Sequence, residues 1–462
     1  MKNCKTLTTL LVILTFFIFK AEAKSKKNNK VEKPNILLII TDQHTATAMS
    51  CTGNKYVHTP ALDKLAETGV RFENNYVTQP LCLPFRSSLQ TGRYPHEIGT
   101  INNGNDFNAE YPMLGKLVAS ADYTCDYFGK WHVGCTPEEA GYDNYDKVGG
   151  RDAEITKRAE QYLRQQHEKP FFLTVSLINP HNVCQLARAN AVGTDLPDGP
   201  IGVAPTNLDE LPPLPANFDM PKNEPTVIRE IQKRSGAYHY PTANWSELTW
   251  RQYLWGYYRL VEKVDAHIGQ VLNALEEGGY GENTVIIFTS DHGEGVAQHH
   301  WNQKQILYDQ ATNTPLIMNW KGVTKKSVYP ELVSNALDIP VTILDIIDVK
   351  KPASMHGHSL LPIMEGKSPK PQKYVISETM FARGKTNLGA TGRMIRTKKY
   401  KYCIYDNGEK REQLFDMEHD PGEMNNLAFD KNFEKELNKH RKMIVRWAKE
   451  TNDTAFPYQN PE

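Results

Sequence analysis

The stretch Asn35-Ile-Leu-Leu-Ile-Ile-Thr-Asp42 decides the fold, because an unbroken apolar run leads directly into polar residues. Runs of this kind, rich in β-branched side chains, are typical of strands buried on both faces of a parallel sheet. Runs of the same form occupy residues 123–128, 171–178 and 284–289, and polar residues follow each of them. The sequence therefore predicts a parallel sheet to which these four segments contribute strands.

Helical patterns lie between these predicted strands. The clearest covers residues 250–275, where the apolar side chains fall on one stripe until Gly278-Gly279 ends the pattern. Strands that alternate with helices predict an α/β fold with a doubly wound, mostly parallel sheet flanked by helices.

The pattern changes twice along the chain. Residues 185–245 are rich in proline, and we expect a long insertion that lies over a site. After about residue 371, short aromatic segments such as Tyr400–Tyr405 predict antiparallel strands. We therefore expect a large α/β domain at residues 34–370 and a smaller C-terminal α+β domain, built on a short antiparallel sheet, at residues 371–462.

The first residues have the features of a secretory signal peptide. Two lysines precede an apolar run at residues 7–19, and Ala21-Glu22-Ala23 has the small residues of a cleavage site. The run is shorter than the roughly 20 apolar residues needed to span a membrane. We expect residues 1–23 to be removed, residues 24–33 to form a linker, and the protein to be periplasmic or secreted, without a membrane span.

The composition indicates a folded globular chain. Its 462 residues include 54 Lys and Arg against 54 Asp and Glu, and 39% are hydrophobic. A formal net charge of zero argues against a nucleic-acid partner held by bulk charge. Six cysteines follow the signal peptide without a CxxC pair, so disulfides or buried thiols are expected rather than structural zinc.

Chemistry-bearing side chains follow all four predicted strands. Because ligands of open α/β sheets bind at the carboxyl ends of strands, these residues are expected to meet at one edge. The residues are Asp42, Gln43, Lys130, His132, His181, Asp291 and His292. A single Asp after a strand is ordinarily a turn or helix cap. Two such Asp residues with an amide oxygen and a histidine instead favour a Ca²⁺ or Mg²⁺ site.

A cysteine motif lies between the first two predicted strands, in the sequence Leu81-Cys-Leu-Pro-Phe-Arg-Ser-Ser-Leu-Gln-Thr-Gly-Arg93. Pro84 suits the first turn of a helix, which places Cys82 just ahead of the helix N-terminus. Backbone donors and the helix dipole favour an anion there, and Arg86 lies one turn further along. The motif predicts a site with a reactive thiol.

These motifs resemble those of the type I, formylglycine-dependent sulfatases of the alkaline phosphatase superfamily. Cys82-Leu-Pro-Phe-Arg86 with Thr91-Gly92-Arg93 is similar to their signature. Further segments follow in the family's order: Asp42-Gln43, Gly129-Lys-Trp-His132, Pro180-His181, Asp291-His-Gly293, Trp301-Asn-Gln-Lys304 and Gln413-Leu-Phe-Asp416. The resemblance covers most of residues 34–428.

The resemblance implies a nucleophile and a metal centre. A formylglycine-generating or anaerobic sulfatase-maturating enzyme would oxidise Cys82 to formylglycine, whose hydrate attacks sulfur. The implied ligands of Ca²⁺, or of Mg²⁺, are Asp42, Gln43, Cys82, Asp291 and His292. Many members have two Asp residues after the first strand, so Gln43 leaves this centre one negative charge lighter.

The resemblance also implies roles for the other motif residues. Arg86 would orient the hydrate, and Lys130 and Lys304 would neutralise the sulfate oxygens. His181 would protonate the leaving alcohol, and His132 would help the hemiacetal to release sulfate.

Export combined with such a core predicts a sulfated oligosaccharide substrate, derived from ulvan or another algal polysaccharide or from a glycosaminoglycan. The sequence has no evident basic stripe for a long polyanion, which favours action on chain ends. Arg383, Arg393 and Arg396 are expected to meet a carboxylate or a second sulfate of this substrate.

Two alternatives remain open. Asp-Gln combined with Asp-His also occurs in branches of the family that hydrolyse phosphonate monoesters and phosphodiesters. If Cys82 stays a thiol, the chain would instead be a non-catalytic glycan-binding protein.

Overall fold

The computed structural model describes residues 33–104, 107, 110–146, 151–188, 196–234, 242–383 and 386–454. The predicted signal peptide at residues 1–23, and all but the last residue of the linker at 24–33, lie outside this part of the chain. Within it, no helix is long and apolar enough to cross a membrane.

The strands and α-helices follow in chain order. The strands are β1 (Asn35–Asp42), β2 (Val70–Tyr76), β3 (Thr124–Gly129), β4 (Asn144–Asp146), β5 (Phe171–Pro180), β6 (Thr284–Ser290), β7 (Leu316–Trp320), β8 (Ser327–Ser334), β9 (Tyr374–Arg383), β10 (Thr386–Thr397), β11 (Tyr400–Tyr405) and β12 (Glu412–Asp416). The helices are α1 (Pro60–Thr68), α2 (Cys82–Thr91), α3 (Leu114–Ala119), α4 (Pro137–Ala140), α5 (Asp152–Leu163), α6 (Val183–Arg188), α7 (Thr226–Arg234), α8 (Glu247–Glu277), α9 (Asp309–Thr312), α10 (Asn335–Ile346), α11 (Leu361–Met364) and α12 (Glu434–Thr451).

An eight-stranded sheet has the order β4-β3-β5-β1-β6-β7-β2-β8. β1 lies at its centre and pairs in parallel with β5 on one side and β6 on the other, so that Ile36 pairs with both Phe172 and Val285. β3 continues the parallel pairing beyond β5. β7 runs antiparallel to both of its neighbours, β6 and β2. The predicted mostly parallel α/β sheet is therefore confirmed.

Helices cover both faces of this sheet, so β1 is buried throughout and its residues 36–40 are all apolar. Leu37 and Ile39 pack with buried side chains of α8, including Ile268. On the opposite face, Leu38 and Ile40 belong to the core that includes residues of α2 and α10. Alternate residues of one strand thus enter two separate cores.

A second sheet has the order β12-β11-β10-β9 and is antiparallel throughout. Its apolar side chains Ile376, Ile395 and Ile404 pack with Ile444 and Trp447 of α12. This confirms the antiparallel C-terminal sheet that the aromatic segments predict, while the domain boundary at residue 370 stays a prediction.

Two arginines of β10 correct an expectation about substrate contacts. Arg393 is 2% exposed and its Nε donates to Asp453 at 2.8 Å. Arg396 is 5% exposed and its Nε donates to the Tyr76 hydroxyl at 3.1 Å. The expectation that they meet substrate is wrong, because their strand turns both side chains into the protein interior. The side chain of Arg383 lies outside the described part.

The cysteines with described positions are all free thiols: Cys51, Cys82, Cys125, Cys135, Cys184 and Cys403. Of the two outcomes that the sequence left open, disulfides or buried thiols, the structure shows thiols. Burial raises the pKa of Cys403 and raises that of Cys125 to about 12, which leaves both thiols protonated and unreactive.

A buried histidine makes stability depend on pH. The Nδ1 of His96 lies 2.6 Å from Oε1 of Glu378, and its Nε2 lies 3.2 Å from the carbonyl oxygen of Thr451. Burial lowers the pKa of His96, but the charges of Glu378 and Asp453 outweigh burial and the repulsion of Arg393, raising it to about 9. The histidine is therefore a cation in the folded protein at neutral pH.

Because the folded pKa exceeds the unfolded one, this stabilisation is present below about pH 6.5 and is lost as the pH rises through about 9. We expect His96→Gln to lower the free energy of unfolding by about 2–3 kcal/mol at pH 6, and by little at pH 10. Urea unfolding of both proteins across this range measures the difference. A difference that does not change with pH would contradict the assignment.

Candidate active site

Four neighbouring strands bring the predicted site residues together. β3, β5, β1 and β6 are consecutive in the sheet and parallel, so their carboxyl ends share one edge. Lys130 follows β3, His181 follows β5, Gln43 follows β1 and Asp291 follows β6. The common edge that the sequence predicts is therefore present.

Helix α2 brings Cys82 to the same edge. Cys82 is the first residue of the helix, one position further in than expected, and the preceding residue, Leu81, is extended. Every residue of α2 is buried, and Phe85 and Leu89 belong to the same core as Ile339 of α10. The helix is thus held rigidly between the sheet and α10.

Arg86, one turn along α2, joins the carboxylates of two strands. Its Nε donates to Oδ2 of Asp291 at 2.9 Å and its Nη2 to Oδ2 of Asp42 at 3.3 Å. Its Nη1 also donates to the Lys130 carbonyl oxygen at 2.8 Å and to the Ser176 hydroxyl at 2.7 Å. The guanidinium group of Arg86 on α2 therefore holds the two carboxylates in position.

The Cys82 sulfur lies among charged groups. Its Sγ is 3.0 Å from Nζ of Lys304, 3.1 Å from Nε2 of His292 and 3.8 Å from Oδ1 of Asp42. Burial and the charge of Asp42 raise the pKa of this thiol, but Lys130, Lys304 and His292 outweigh them and bring it well below its usual value. The site therefore stabilises negative charge at this position.

The residues at this edge fit a hard divalent cation. One ligand atom from each of Asp42, Cys82, Asp291 and His292 lies within 4.8 Å of the others, and all four residues are buried. Burial and repulsion from Asp42 raise the pKa of Asp291 to about 6. Two buried carboxylates this close together are the arrangement that a cation such as Ca²⁺ or Mg²⁺ stabilises.

Gln43 adds an oxygen to this set. Its backbone NH donates to Oδ1 of Asp291 at 3.2 Å, and its Oε1 lies 3.3 Å from Nζ of Lys304. The backbone of Gln43 is left-handed, with φ of 71°, which turns the chain sharply at the end of β1. The structure thus brings four of the predicted metal ligands together and places Gln43 beside them.

The predicted proton-transfer and sulfate-binding residues lie at the same edge. Nζ of Lys130 donates to Oδ2 of Asp42, and burial and the charge of Lys304 lower the pKa of His181 to about 3. His132, two residues after Lys130, is half-buried, and its Nδ1 has no hydrogen-bond partner among the described residues. The His181 imidazole is therefore neutral in the free protein at neutral pH, and Nδ1 of His132 is a buried atom without a partner among the described residues.

The Pro-rich insertion contacts two segments that carry site residues. Asp198 accepts a hydrogen bond from Nδ2 of Asn179, two residues before His181, at 2.8 Å. Arg229 of α7 donates to the carbonyl oxygen of His299 at 2.6 Å, in the loop that leads to Lys304. These contacts brace the site, while the prediction that the insertion covers it stays open.

Sequence reasoning missed Glu294, Tyr253 and Gln303. Glu294 is fully buried and lies directly behind Gln43, with Nε2 of Gln43 at 2.5 Å from its Oε2. Its place two residues after His292 in the same loop was a usable signal. Tyr253 lies far away in sequence within α8, so only the fold brings it to the site.

Comparisons with known proteins identify the family to which the chain is similar. The family model described as Sulfatase matches residues 34–349, and one described as N-sulphoglucosamine sulphohydrolase, C-terminal, matches residues 297–450. The Delta 4,5-hexuronate-2-O-sulfatase of Bacteroides thetaiotaomicron is 32% identical over 445 residues, which are 89% of this chain and 88% of that protein. The ulvan-active sulfatase of Formosa agariphila is 28% identical over 92% of this chain and 83% of that protein.

A solved structure shows the same architecture. The structure of a 2-O GAG sulfatase superposes with a TM-score of 0.80 and 30% identity, over 91% of this chain and 93% of that chain. The mostly parallel sheet between helices, with a separate antiparallel sheet at the C-terminus, is thus an alkaline-phosphatase-like hydrolase fold. Within that class, the chain belongs to the sulfatase family and is a sulfuric ester hydrolase. The predicted family, fold class and enzyme class are confirmed.

Proposed function

We propose that this chain hydrolyses sulfate esters of short sulfated oligosaccharides, with a formylglycine made from Cys82 and a bound divalent cation. The observation that carries the proposal is the surroundings of the Cys82 sulfur. Nζ of Lys304 and Nε2 of His292 lie about as close to Sγ as hydrogen-bond partners, at 3.0 and 3.1 Å, beside the buried carboxylates of Asp42 and Asp291.

The cation would be Ca²⁺ or Mg²⁺, held by Asp42, Gln43, Asp291 and His292 with the side chain at position 82. When bound, it supplies positive charge that lowers the pKa of the aldehyde hydrate and offsets the charge of the sulfate. Formylglycine supplies a hydrated aldehyde where the thiol lies in this structure.

The cationic side chains would bind the sulfate. Lys304 and Lys130 both contact groups at the reacting position, Lys304 through Cys82 and Lys130 through Asp42. Both pKa values are raised despite burial, because Asp42 and Cys82 attract the protonated amines. Two fixed ammonium groups would stabilise the charge on the sulfate oxygens in the transition state.

The two histidines would move protons. His181 would hold a proton at the leaving oxygen of the sugar. Burial and the charge of Lys304 lower its pKa before substrate binds, and an anionic sulfate beside Lys304 would offset the second of these causes. His132 would take a proton from the hydroxyl at position 82 when sulfate is released.

The substrate proposal is a sulfated sugar. Relatives that cover most of this chain are named for action on a hexuronate 2-O-sulfate, on an N-acetylglucosamine 6-O-sulfate and on ulvan, which supports a sulfated polysaccharide as the source. The exported location rests on the signal peptide expected at residues 1–23. The proposed maturation partner must reach Cys82 before folding ends, since that residue is 1% exposed in the folded chain.

The experiment that tests these roles compares two leaving groups. A sugar alkoxide leaves poorly without a proton, whereas 4-nitrophenolate leaves without one. We expect His181→Ala to lower kcat/KM by about 10²–10⁴-fold on a sulfated disaccharide and by less than about tenfold on 4-nitrophenyl sulfate. Steady-state assays of the matured enzyme provide both numbers.

His132→Ala is the matched control: its proposed step follows the departure of the alcohol, so we expect it to lower kcat to the same rate on both substrates and to leave kcat/KM little changed. Equal losses for His181→Ala would contradict its role as the acid. The same assays with a 4-nitrophenyl phosphonate and a phosphodiester test the phosphoryl alternative. A kcat/KM for either of them above that for every sulfate ester would overturn the proposed function.

A further inference from the structure

The side-chain amide of Gln43 can lie in either of two orientations that are chemically different. The two oxygens of a carboxylate are equivalent, so a carboxylate has no such choice. An amide side chain has an oxygen, which can bind a cation, and an NH₂ group, which cannot. The two ends are nearly the same size, so the cavity shape does not choose between them. The group behind the amide therefore decides whether Gln43 offers oxygen to the metal centre.

Glu294 is the group behind the amide. It is fully buried, and its Oε2 accepts a hydrogen bond from Nε2 of Gln43 at 2.5 Å. Its Oε1 accepts from the Tyr253 hydroxyl at 2.7 Å and from the Gln303 backbone NH at 2.6 Å. Since a carboxylate accepts but does not donate, the NH₂ end must face Glu294 and the oxygen must face the opposite way.

On the opposite side, the amide oxygen faces Lys304 and the thiol of Cys184, whose Sγ lies 3.7 Å from it. Oε1 of Gln43 lies 3.3 Å from Nζ of Lys304, which itself contacts the Cys82 sulfur and, at 3.3 Å, Nε2 of His292. The Gln43 backbone NH is bound to Asp291 at 3.2 Å. The amide oxygen is therefore held beside Lys304, on the side of the Cys82 sulfur and His292.

Charge balance points in the same direction. The carboxylates of Asp42 and Asp291 bond to two cations, Arg86 and Lys130, and the charge of a third, Lys304, also acts on Asp42. A divalent cation added to this set would meet a net positive environment. Glu294 adds a third carboxylate next to Gln43. In many members of the family, an Asp at the position of Gln43 carries this negative charge.

Glu294 is also held firmly. Its backbone NH donates to the carbonyl oxygen of Gln310 at 3.0 Å. The preceding residue, Gly293, packs so tightly that a Cβ there would lie 2.0 Å from the same carbonyl oxygen. Tyr253, which holds the other carboxylate oxygen, is fully buried in α8. A carboxylate fixed from three elements has little freedom to follow the amide if the amide turns.

We propose that Glu294 is a positioning residue of the metal centre, which fixes the Gln43 amide with its oxygen toward the cation and supplies the negative charge that Gln43 lacks. The inference rests on the metal centre of the proposed function. It assigns to this chain a Gln–Glu pair that together does the work of one carboxylate ligand.

The first test is Ca²⁺ binding to the full chain, measured by titration calorimetry and by the rise in Tm that Ca²⁺ produces, without any turnover assay. Glu294→Gln keeps the shape of the side chain but removes its negative charge. The Gln43 amide can then rotate and exchange the positions of its oxygen and its NH₂ group. We expect its Ca²⁺ dissociation constant to rise by about 10–100-fold, as is common when a group that orients a metal ligand is lost.

Glu423→Gln is the matched control. Glu423 is a buried carboxylate that binds Lys401 at 2.7 Å, away from the predicted ligands. We expect this variant to lower the Tm of the metal-free protein and to leave the Ca²⁺ dissociation constant within about twofold. The comparison separates the loss of a buried charge from the loss of ligand orientation.

A swapped pair tests the same idea if Glu294→Gln folds poorly. Gln43→Glu places two carboxylates where the structure has a 2.5 Å hydrogen bond, so it is expected to weaken Ca²⁺ binding. Gln43→Glu with Glu294→Gln restores one donor facing one acceptor and turns a carboxylate oxygen toward the cation. We expect the double variant to bind Ca²⁺ at least tenfold more tightly than either single variant.

The outcomes are distinct. Wild-type protein that binds neither Ca²⁺ nor Mg²⁺ would overturn the metal centre and this inference with it. Wild-type protein that binds Ca²⁺, with Glu294→Gln binding it equally well, would overturn the positioning role and leave the metal centre intact. A double variant, Gln43→Glu with Glu294→Gln, that binds Ca²⁺ no more tightly than the single variants would also contradict the proposed pairing.

Discussion

Replacing Cys82 with alanine is expected to abolish turnover of sulfated sugars, by about 10⁴-fold or more, while the protein still folds. Alanine leaves no side chain that can be converted to an aldehyde, so no nucleophile remains. The substitution removes a single sulfur atom, whose neighbours in the fold are Lys304, His292 and Asp42. We therefore expect the free energy of unfolding to change by less than about 1 kcal/mol.

The measurement is sulfate release from a sulfated disaccharide, together with urea unfolding of the same preparations. Cys403→Ala is the matched control, since Cys403 is also a buried free thiol but lies in β11. Its activity per folded molecule is expected to equal that of the wild type. More than about 1% of wild-type turnover in Cys82→Ala would contradict a nucleophile derived from Cys82.

Removing the charge of Arg86 is expected to have the largest effect on stability. Arg86→Met leaves the carboxylates of Asp42 and Asp291 buried without the cation that bonds to both, and leaves Ser176 and the Lys130 carbonyl without their donor. Breaking a buried ion pair from one side costs about 3–5 kcal/mol. We expect a loss of this size in the free energy of unfolding, measured with a chelator present.

Calcium should reduce that loss, because a cation at Asp42 and Asp291 replaces part of the missing charge. Arg93→Met is the control: its guanidinium bonds to the Ser354 carbonyl oxygen at 2.5 Å and to Glu97, away from the predicted ligands. We expect Arg93→Met to lower the free energy of unfolding by less than Arg86→Met does. The difference between Arg93→Met and the wild type is expected to be the same with and without calcium. An Arg86→Met protein as stable as Arg93→Met, or one insensitive to calcium, would contradict the arrangement.

The strands that carry the site could be predicted because burial on both faces leaves a continuous apolar run. The run at residues 36–40 and the strand Thr284–Ser290 are of this kind, and polar residues mark where each strand reaches the edge. Strand β8 could not be predicted in this way, because its first half is largely exposed and it includes Pro330. The site was therefore easier to predict than the far edge of the sheet.

Interactions between distant elements were beyond sequence reasoning. The sequence suggested that Arg396 and Arg393 bind substrate. In the structure, Arg396 instead bonds to Tyr76, which is hundreds of residues away in sequence, and Arg393 bonds to Asp453, which is tens of residues away. Glu294 stands in a loop next to a predicted ligand, but its use depends on which way the loop turns and on Tyr253 of α8. Only the folded chain shows which polar residues face one another.

We propose that this sulfatase cleaves sulfate esters of sugars through a converted Cys82. The most direct measurement is the sulfate released from a panel of sulfated disaccharides by preparations of known conversion. The mass of the Cys82 peptide gives the conversion, since oxygen replaces sulfur. We predict sulfate release in proportion to the converted fraction. Equal release from unconverted protein, or none from fully converted protein on any disaccharide, would contradict the account.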